Sequence, residues 1–172
     1  QPIQKDYQLV SYLGRANLSI FDKYLITASL RADGSSKFAK GSRWGYFPSA
    51  SLAWRMEQEE FMKNISWLSQ LKIRVSYGVT GNQSIDPYST FSMYGSNSNL
   101  YYADGSGNAQ TAFTVTNLSN NSLKWEKTAS WNGGVDFGLF NSRLSGTLDV
   151  YQKKTTDLLI SRTLPGSAGF GS

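Results

Sequence analysis

The chain has 172 residues, with 17 Lys and Arg against 12 Asp and Glu, 14% aromatic residues, 16 Gly, 4 Pro, no Cys and no His. Without cysteine there is no disulfide framework and no thiolate metal site. Without histidine the usual neutral-pH base, the commonest metal ligand and a serine triad are excluded. The net charge of +5 is carried by Lys and Arg scattered along the chain, with no basic run of five or more, so no nucleic-acid partner is expected.

Taken in order, the elements read as strands, because apolar and polar residues alternate with a period of two. In Leu9 to Ile20 one face carries Val10, Tyr12, Gly14, Ala16, Leu18 and Ile20, and the other carries Ser11, Leu13, Arg15, Asn17 and Ser19. Phe21-Asp22-Lys23 predicts a tight turn. A second strand, Tyr24 to Asp33, sets Tyr24, Ile26, Ala28, Leu30 and Ala32 against Thr27, Ser29, Arg31 and Asp33. Asp33-Gly34-Ser35-Ser36 is turn chemistry and opens a loop that reaches Pro48. The third strand, Ser49 to Met56, is followed by the one helical segment, Glu57 to Gln70. There Phe61, Ile65 and Leu68 fall at i, i+4 and i+7, and three glutamates crowd the start, where a helix dipole favours them.

Leu71 to Thr80 alternates most cleanly, with Leu71, Ile73, Val75, Tyr77 and Val79 against Lys72, Arg74, Ser76, Gly78 and Thr80. Residues 81 to 122 are rich in Ser, Asn, Gly and Tyr without a sustained period, and the length predicts a functional or disordered loop. A fifth strand, Lys124 to Leu139, places Trp125, Ala129, Trp131, Gly133, Val135, Phe137 and Leu139 on one side. Asn141-Ser142 predicts a two-residue turn, and a sixth strand runs from Arg143 to about Thr156. The tail holds Leu158-Leu159-Ile160 and then Pro165-Gly166-Ser167.

Short and long connections alternate, and one face of every strand is almost free of charge. A membrane β-barrel needs that division: short turns on one side, long loops on the other, lipid against one face and water against the other. On this reading the fold is all-β, an antiparallel meander of about six strands with a short helical connector near 57–69. Arg15, Arg31, Asp33, Arg55, Lys72, Arg74, Asp136 and Asp149 then face the lumen. Tyr24, Trp54 and Phe137 fall near the short-turn ends, and Tyr12, Tyr77 and Trp125 near the long-loop ends, as two interfacial belts require. No nucleophile and base are paired as catalysis would demand, so no catalytic residue and no cofactor are expected. Asp104-Gly105-Ser106-Gly107-Asn108 opens like a calcium loop, but Val115 stands where the closing Glu belongs. It reads as a Gly-rich turn, and no metal site is assigned. The residues suited to contact a solute or a partner are the loop aromatics and amides Trp44, Tyr46, Asn82, Gln83, Tyr88, Tyr94, Tyr101 and Tyr102, with Asn97 and Asn99 beside them. The competing reading is a soluble β-sandwich carbohydrate-binding module that buries the same apolar faces between two sheets.

Three runs resemble a known family in order and spacing: Leu25–Phe38 (LITASLRADGSSKF), Arg43–Ser49 (RWGYFPS) and Leu71–Gln83 (LKIRVSYGVTGNQ). With Tyr12–Arg15 and Lys154–Leu159 they are similar to the SusC/RagA-type TonB-dependent transporters of Bacteroidetes outer membranes. The resemblance implies a 22-stranded outer-membrane barrel importing glycans, oligosaccharides or peptides. It also implies a SusD-like lipoprotein as partner and TonB acting through other regions of the protein. The family's plug domain, TonB box and final strands find no match in residues 1–172, which therefore read as a partial barrel that neither closes nor transports alone.

Overall fold

Alternation is a strong instruction to the backbone, and strands occupy most of the chain. The computed structural model describes residues 5–160, leaving aside the side chains of 97–100 and 114. Its strands are β1 (Leu9–Ile20), β2 (Tyr24–Ser35), β3 (Trp44–Arg55), β4 (Leu68–Asn82), β5 (Met93–Ala103), β6 (Ala109–Asn117), β7 (Glu126–Leu139) and β8 (Leu144–Thr156). Six of them form one antiparallel sheet in the order β1-β2-β3-β4-β7-β8, and β5 and β6 form a separate hairpin between β4 and β7. β1 and β8 are the two edges of the larger sheet.

Register joins the apolar residues into one surface. Leu18 lies opposite Ile26, Ile26 opposite Leu52, Leu52 opposite Val75, Val75 opposite Gly133, and Gly133 opposite Val150. No second sheet covers this surface among the described residues: Leu52 is 47% exposed, Leu148 68% and Val150 78%. The sandwich reading is thereby corrected, because a sandwich needs those side chains buried between layers.

Aromatic pairs bound the apolar surface at both ends. Tyr24 stacks on Trp54 at the short-turn end, and Tyr12 on Trp44 and Tyr77 against Trp131 toward the long loops, with ring centroids 6.3, 6.0 and 4.6 Å apart. The belts run obliquely across the strands. Trp131 aligns through Tyr77 with Ala50, four residues toward the turns from Tyr46. At the other end Phe137 lies two residues beyond Val135, which aligns through Ile73 with Trp54. Steps of about 7–13 Å over two interstrand spacings of about 4.8 Å correspond to strands tilted by roughly 35–55°. Membrane barrels are tilted by roughly 35–45°.

Several boundaries differ from the sequence reading. β3 begins at Trp44, so the loop expected to reach Pro48 spans only residues 36–43. The turn before β8 takes residues 140–143, with Phe140, Asn141 and Ser142 all at positive φ. The segment 57–69 holds no α-helix but two 3-10 turns, Met56–Gln58 and Glu60–Met62. So short a helix would need a buried apolar face, yet Phe61 is 61% exposed and Leu68 opens β4. The long loop is ordered as the β5–β6 hairpin. Pro165-Gly166-Ser167 lies outside the described residues.

The largest departure lies at the long-loop end. The β3–β4 ladder stops at Ser49–Gly78, beside Pro48, whose nitrogen has no proton to donate. β4 continues to Asn82 paired with β7 alone. Beyond the split, Trp125, expected outward, is 4% exposed and packs with Phe47 and Phe38, with ring centroids 5.4 Å apart in both pairs. By alternation Trp125 and Gly81 continue the apolar face of β7 and β4, while Gly45 and Phe47 belong to the polar face of β3. Yet a side chain at Gly45 or Gly81 would strike the Phe47 ring, and at Gly45 also Trp125. The outer ends of β4 and β7 therefore lean over the polar face of β3. The Trp125 indole N–H donates to the Arg43 carbonyl at 2.9 Å, and Val79, Ile85 and Leu123 pack around the three rings.

Removing one of these rings leaves a cavity that its neighbours fill only in part. Phe47→Ala should destabilise the loop end by about 3 kcal/mol. Hydrogen exchange should then accelerate at residues 79–85 and 123–127 and stay unchanged in the middle of β7. Unaltered exchange at the loop end would show that the ring cluster does not hold the bend.

Candidate functional site

The polar face gathers the charged residues in adjacent rows. Register places Arg15, Arg31 and Asp33 on the face shared with Ser11 and Ser29, and lines up Arg55, Lys72, Asp136 and Thr147 across β3, β4, β7 and β8. The next row holds Arg74, Gly134 and Asp149. Arg15, Arg31, Asp33, Arg55, Lys72, Arg74, Asp136 and Asp149 thus share one face of the sheet.

Arg74 is the centre of the cluster. Its Nε and Nη2 donate to the two carboxylate oxygens of Asp136, both at 2.9 Å, and Nη2 also reaches Asp149 Oδ1 at 3.2 Å. A planar guanidinium meets a carboxylate edge to edge in this way, fixing the orientation of both. The Thr147 hydroxyl donates to Asp136 Oδ1 at 3.1 Å. Gly134 makes room, because a side chain there would meet Asp149 and the Arg74 guanidinium. Elsewhere Arg31 Nε donates to Asp33 Oδ1 at 2.8 Å. Thr27 bonds Asn17, and Ser29 bonds Ser49. The first of these lies within β2 and the other two cross between strands, and together they satisfy polar groups within the wall.

At the short-turn end a second arrangement closes the rim. The Glu59 carboxylate accepts from Lys23 Nζ at 2.9 Å, from the Tyr24 hydroxyl at 2.9 Å and from the Trp54 indole N–H at 3.2 Å. Glu57 accepts from Arg55 Nε at 3.1 Å and from the Leu71 backbone N–H at 3.3 Å. The connector is thus tied to β2, β3 and β4: of the three glutamates that suggested a helix start, Glu57 and Glu59 are spent on strand ends, and Glu60 accepts from Lys63 within the connector. The Lys23 bond foremost, with those from Tyr24 and Trp54, holds the Glu59 carboxyl below its ordinary pKa.

The loop candidates separate. Trp44 and Tyr46 sit in β3 on the apolar face, in register with Gly34 and Ala32. They belong to the outer belt, and Trp44 stacks on Tyr12. Asn82 bonds Glu126 Oε1 at 3.2 Å and receives the Ser84 N–H at 3.0 Å, a structural role. The Gln83 side-chain carbonyl is buried with no partner among the described residues. Tyr88 occupies a turn at φ 70°. In the hairpin, Tyr94, Phe113 and Tyr101 share one face at 70%, 74% and 62% exposure, with Tyr102 on the other face. Asn97 and Asn99 lie outside the described side chains. At the tip, Asp104 Oδ1 accepts the backbone N–H groups of Ser106 and Asn108 at 2.9 and 2.8 Å, and Gly107 adopts φ 79°. This carboxylate stabilises a turn, and no group of three or more potential metal ligands occurs among the described residues. The Arg74 clamp, the Glu59 latch and the ring cluster were not read from the sequence, since period two reveals faces but not which members of a face touch.

A family model described as TonB dependent receptor-like, beta-barrel matches residues 3–171. The chain belongs to that family. It is 43% identical over 165 residues to the TonB-dependent receptor SusC of Bacteroides thetaiotaomicron, covering 95% of this chain and 16% of that protein. It is 39% identical over 166 residues to the TonB-dependent receptor P39 of Formosa agariphila, covering 96% and 15%. The RagAB peptide transporter structure superposes with a TM-score of 0.81 and 31% identity over 95% of this chain and 17% of the other. The RagAB importer in the closed-closed state gives a TM-score of 0.82. The chain spans 15–16% of the length of these curated relatives. The sheet is thus a barrel segment of the SusC/RagA type, and its six-stranded meander is part of a TonB-dependent receptor wall.

The latch gives this barrel segment a pH dependence of definite sign. A carboxyl with a depressed folded pKa adds stability above its unfolded pKa, and that stability is lost as pH falls through the folded value. Proteolysis of the connector in the wild type should therefore rise below about pH 4.5. Glu59→Gln should be cleaved faster at neutral pH, with little further change on acidification. A wild-type connector equally resistant at both pH values would remove the latch from the account.

Proposed function

We propose that this chain forms part of the wall of an outer-membrane importer whose chemistry is passage and not bond-making. The apolar face meets lipid, and the polar face with Arg15, Arg31, Asp33, Arg55, Lys72, Arg74, Asp136 and Asp149 lines a water-filled interior. The observation that carries the reading is the continuous, exposed apolar surface between two oblique aromatic belts. An exposed surface of this extent suits hydrocarbon and not water. The short-turn end, with the Glu59 latch, faces the periplasm, and the hairpin end faces outside. Residues 1–172 act as one partial barrel domain. The open edges at β1 and β8 are met by further strands of a 22-stranded barrel, since unpaired backbone is costly in a bilayer.

The whole protein on this reading imports oligosaccharides or peptides, energised by TonB, with a SusD-like lipoprotein as partner. SusC-type relatives and the RagAB peptide transporter support that assignment by likeness. The Tyr94–Phe113–Tyr101 face is the surface best suited to solute or lipoprotein, offering flat rings clear of the wall. Trp44 and Tyr46 are reassigned from contact residues to interfacial anchors.

Arginine scanning of the full-length protein in lipid tests the orientation. Val75→Arg or Leu148→Arg should cost about 2–4 kcal/mol, as expected near the bilayer midplane. Ser76→Arg or Asn132→Arg, opposite each other on the polar face, should be tolerated within about 1 kcal/mol. Equal costs at both pairs would reverse the assignment of faces.

A further inference from the structure

Among the described residues of β1–β4, β7 and β8, the apolar face carries only two charged side chains, Lys127 and Lys154. They are neighbours. Lys154 stands opposite Ala129, and Lys127 opposite Thr156, so the two lysines are diagonal partners on adjacent strands, about 7–8 Å apart. Like charges that close repel each other, and neither ammonium has an acceptor among the described residues. The carboxylates nearby in sequence are spent. Asp157 takes Lys124 at 2.9 Å, and Glu126, on the polar face, accepts from Asn82 and from the Leu159 N–H. At the opposite rim Lys23 and Lys63 each meet a glutamate. The aromatic belt sets the depth of the uncompensated pair. Trp131, in contact with Tyr77, lies two residues inside Ala129 and four inside Lys127, about 7 and 13 Å along the strand. At a tilt of about 45° the lysines stand roughly 5 and 9 Å beyond the ring along the bilayer normal, the depth of a headgroup layer. Gln152, opposite Trp131 on the same face, adds an amide donor at the level of the belt.

We infer that Lys127 and Lys154 form a binding site for the phosphate group of an outer-leaflet lipid. One phosphate offers several charged oxygens, enough for both ammonium groups, and its negative charge turns their mutual repulsion into shared attraction. Lysine suits this task because it binds phosphate as a point charge on a long stem that follows the headgroup as it moves. Gln152 is placed to bond hydroxyl or carbonyl groups of the same lipid nearer the hydrocarbon. The inference rests on the proposed orientation, with the apolar face against lipid and the hairpin end outside; on that orientation the anion at this depth belongs to a headgroup.

Native mass spectrometry of the full-length transporter, delipidated in detergent, tests the site with two probes: a phosphorylated, acylated glucosamine disaccharide and the same lipid with its phosphate removed. The wild type should retain the phosphorylated form about 30-fold more tightly, since each lysine at an anionic surface contributes about fivefold. Lys127→Gln with Lys154→Gln should abolish that preference, whereas Lys127→Arg with Lys154→Arg should keep most of it. Lys153→Gln removes the same charge one residue away on the polar face and should change nothing. Equal retention of the two lipids by the wild type, or a preference that survives the double glutamine variant, overturns the site. Displacement of the lipid by inorganic phosphate at equal concentration overturns the lipid as its occupant. A preference lost in Lys153→Gln but kept in the double glutamine variant instead overturns the orientation on which the inference rests.

Discussion

A sheet that presents hydrocarbon on one side must pair its backbone within itself, because lipid offers no hydrogen bonds. Side chains facing that way must be apolar while their neighbours in sequence face water, and a period of two is the only pattern that delivers both. The antiparallel ladders from β1 to β8 satisfy the first demand, and the row from Leu18 to Val150 satisfies the second. Turn placement, belt position and the crowding of charge onto one side follow. A single-residue slip of β4 or β7 would carry Arg74 or Asp136 into the greasy surface, so register is held by solvent as much as by hydrogen bonds.

The wall relaxes this constraint where it leaves the apolar band. Pro48 ends a ladder, β4 and β7 bend inward, and aromatic rings replace the lost backbone pairing with packing. Glu59 and Glu57 perform a comparable service at the opposite rim with charge-assisted hydrogen bonds instead of rings.

What the sequence disclosed, and what it hid, divides along the same line. β1 was legible to the residue, and the faces of β2, β4, β7 and β8 were correct over their central stretches, since alternation there has one cause. Trp44, Tyr46 and Trp125 were misplaced because the cause changes at the rim. Aromatic residues near loops serve belts, ring clusters and ligand contacts alike, and only the position of the bend distinguishes them. The glutamates at 57, 59 and 60 suggested a helix start, but the same negative charge suits strand-end donors, which Glu57 and Glu59 take, and a nearby lysine, which Glu60 takes. The Arg74–Asp136–Asp149 clamp depends on three strands meeting across a long insertion, which no local pattern reports.

The two unpaired borders of the six-stranded sheet carry a practical consequence. Each offers a row of vacant donors and acceptors along a dozen residues, and among the described residues neither is blunted by a covering helix or an interrupting proline. Taken out of its surroundings, such a ribbon would zip onto copies of itself seam to seam. The width of this wall is thus a property of its neighbours, and any preparation limited to these residues would grow into stacked oligomers before it revealed anything about a pore.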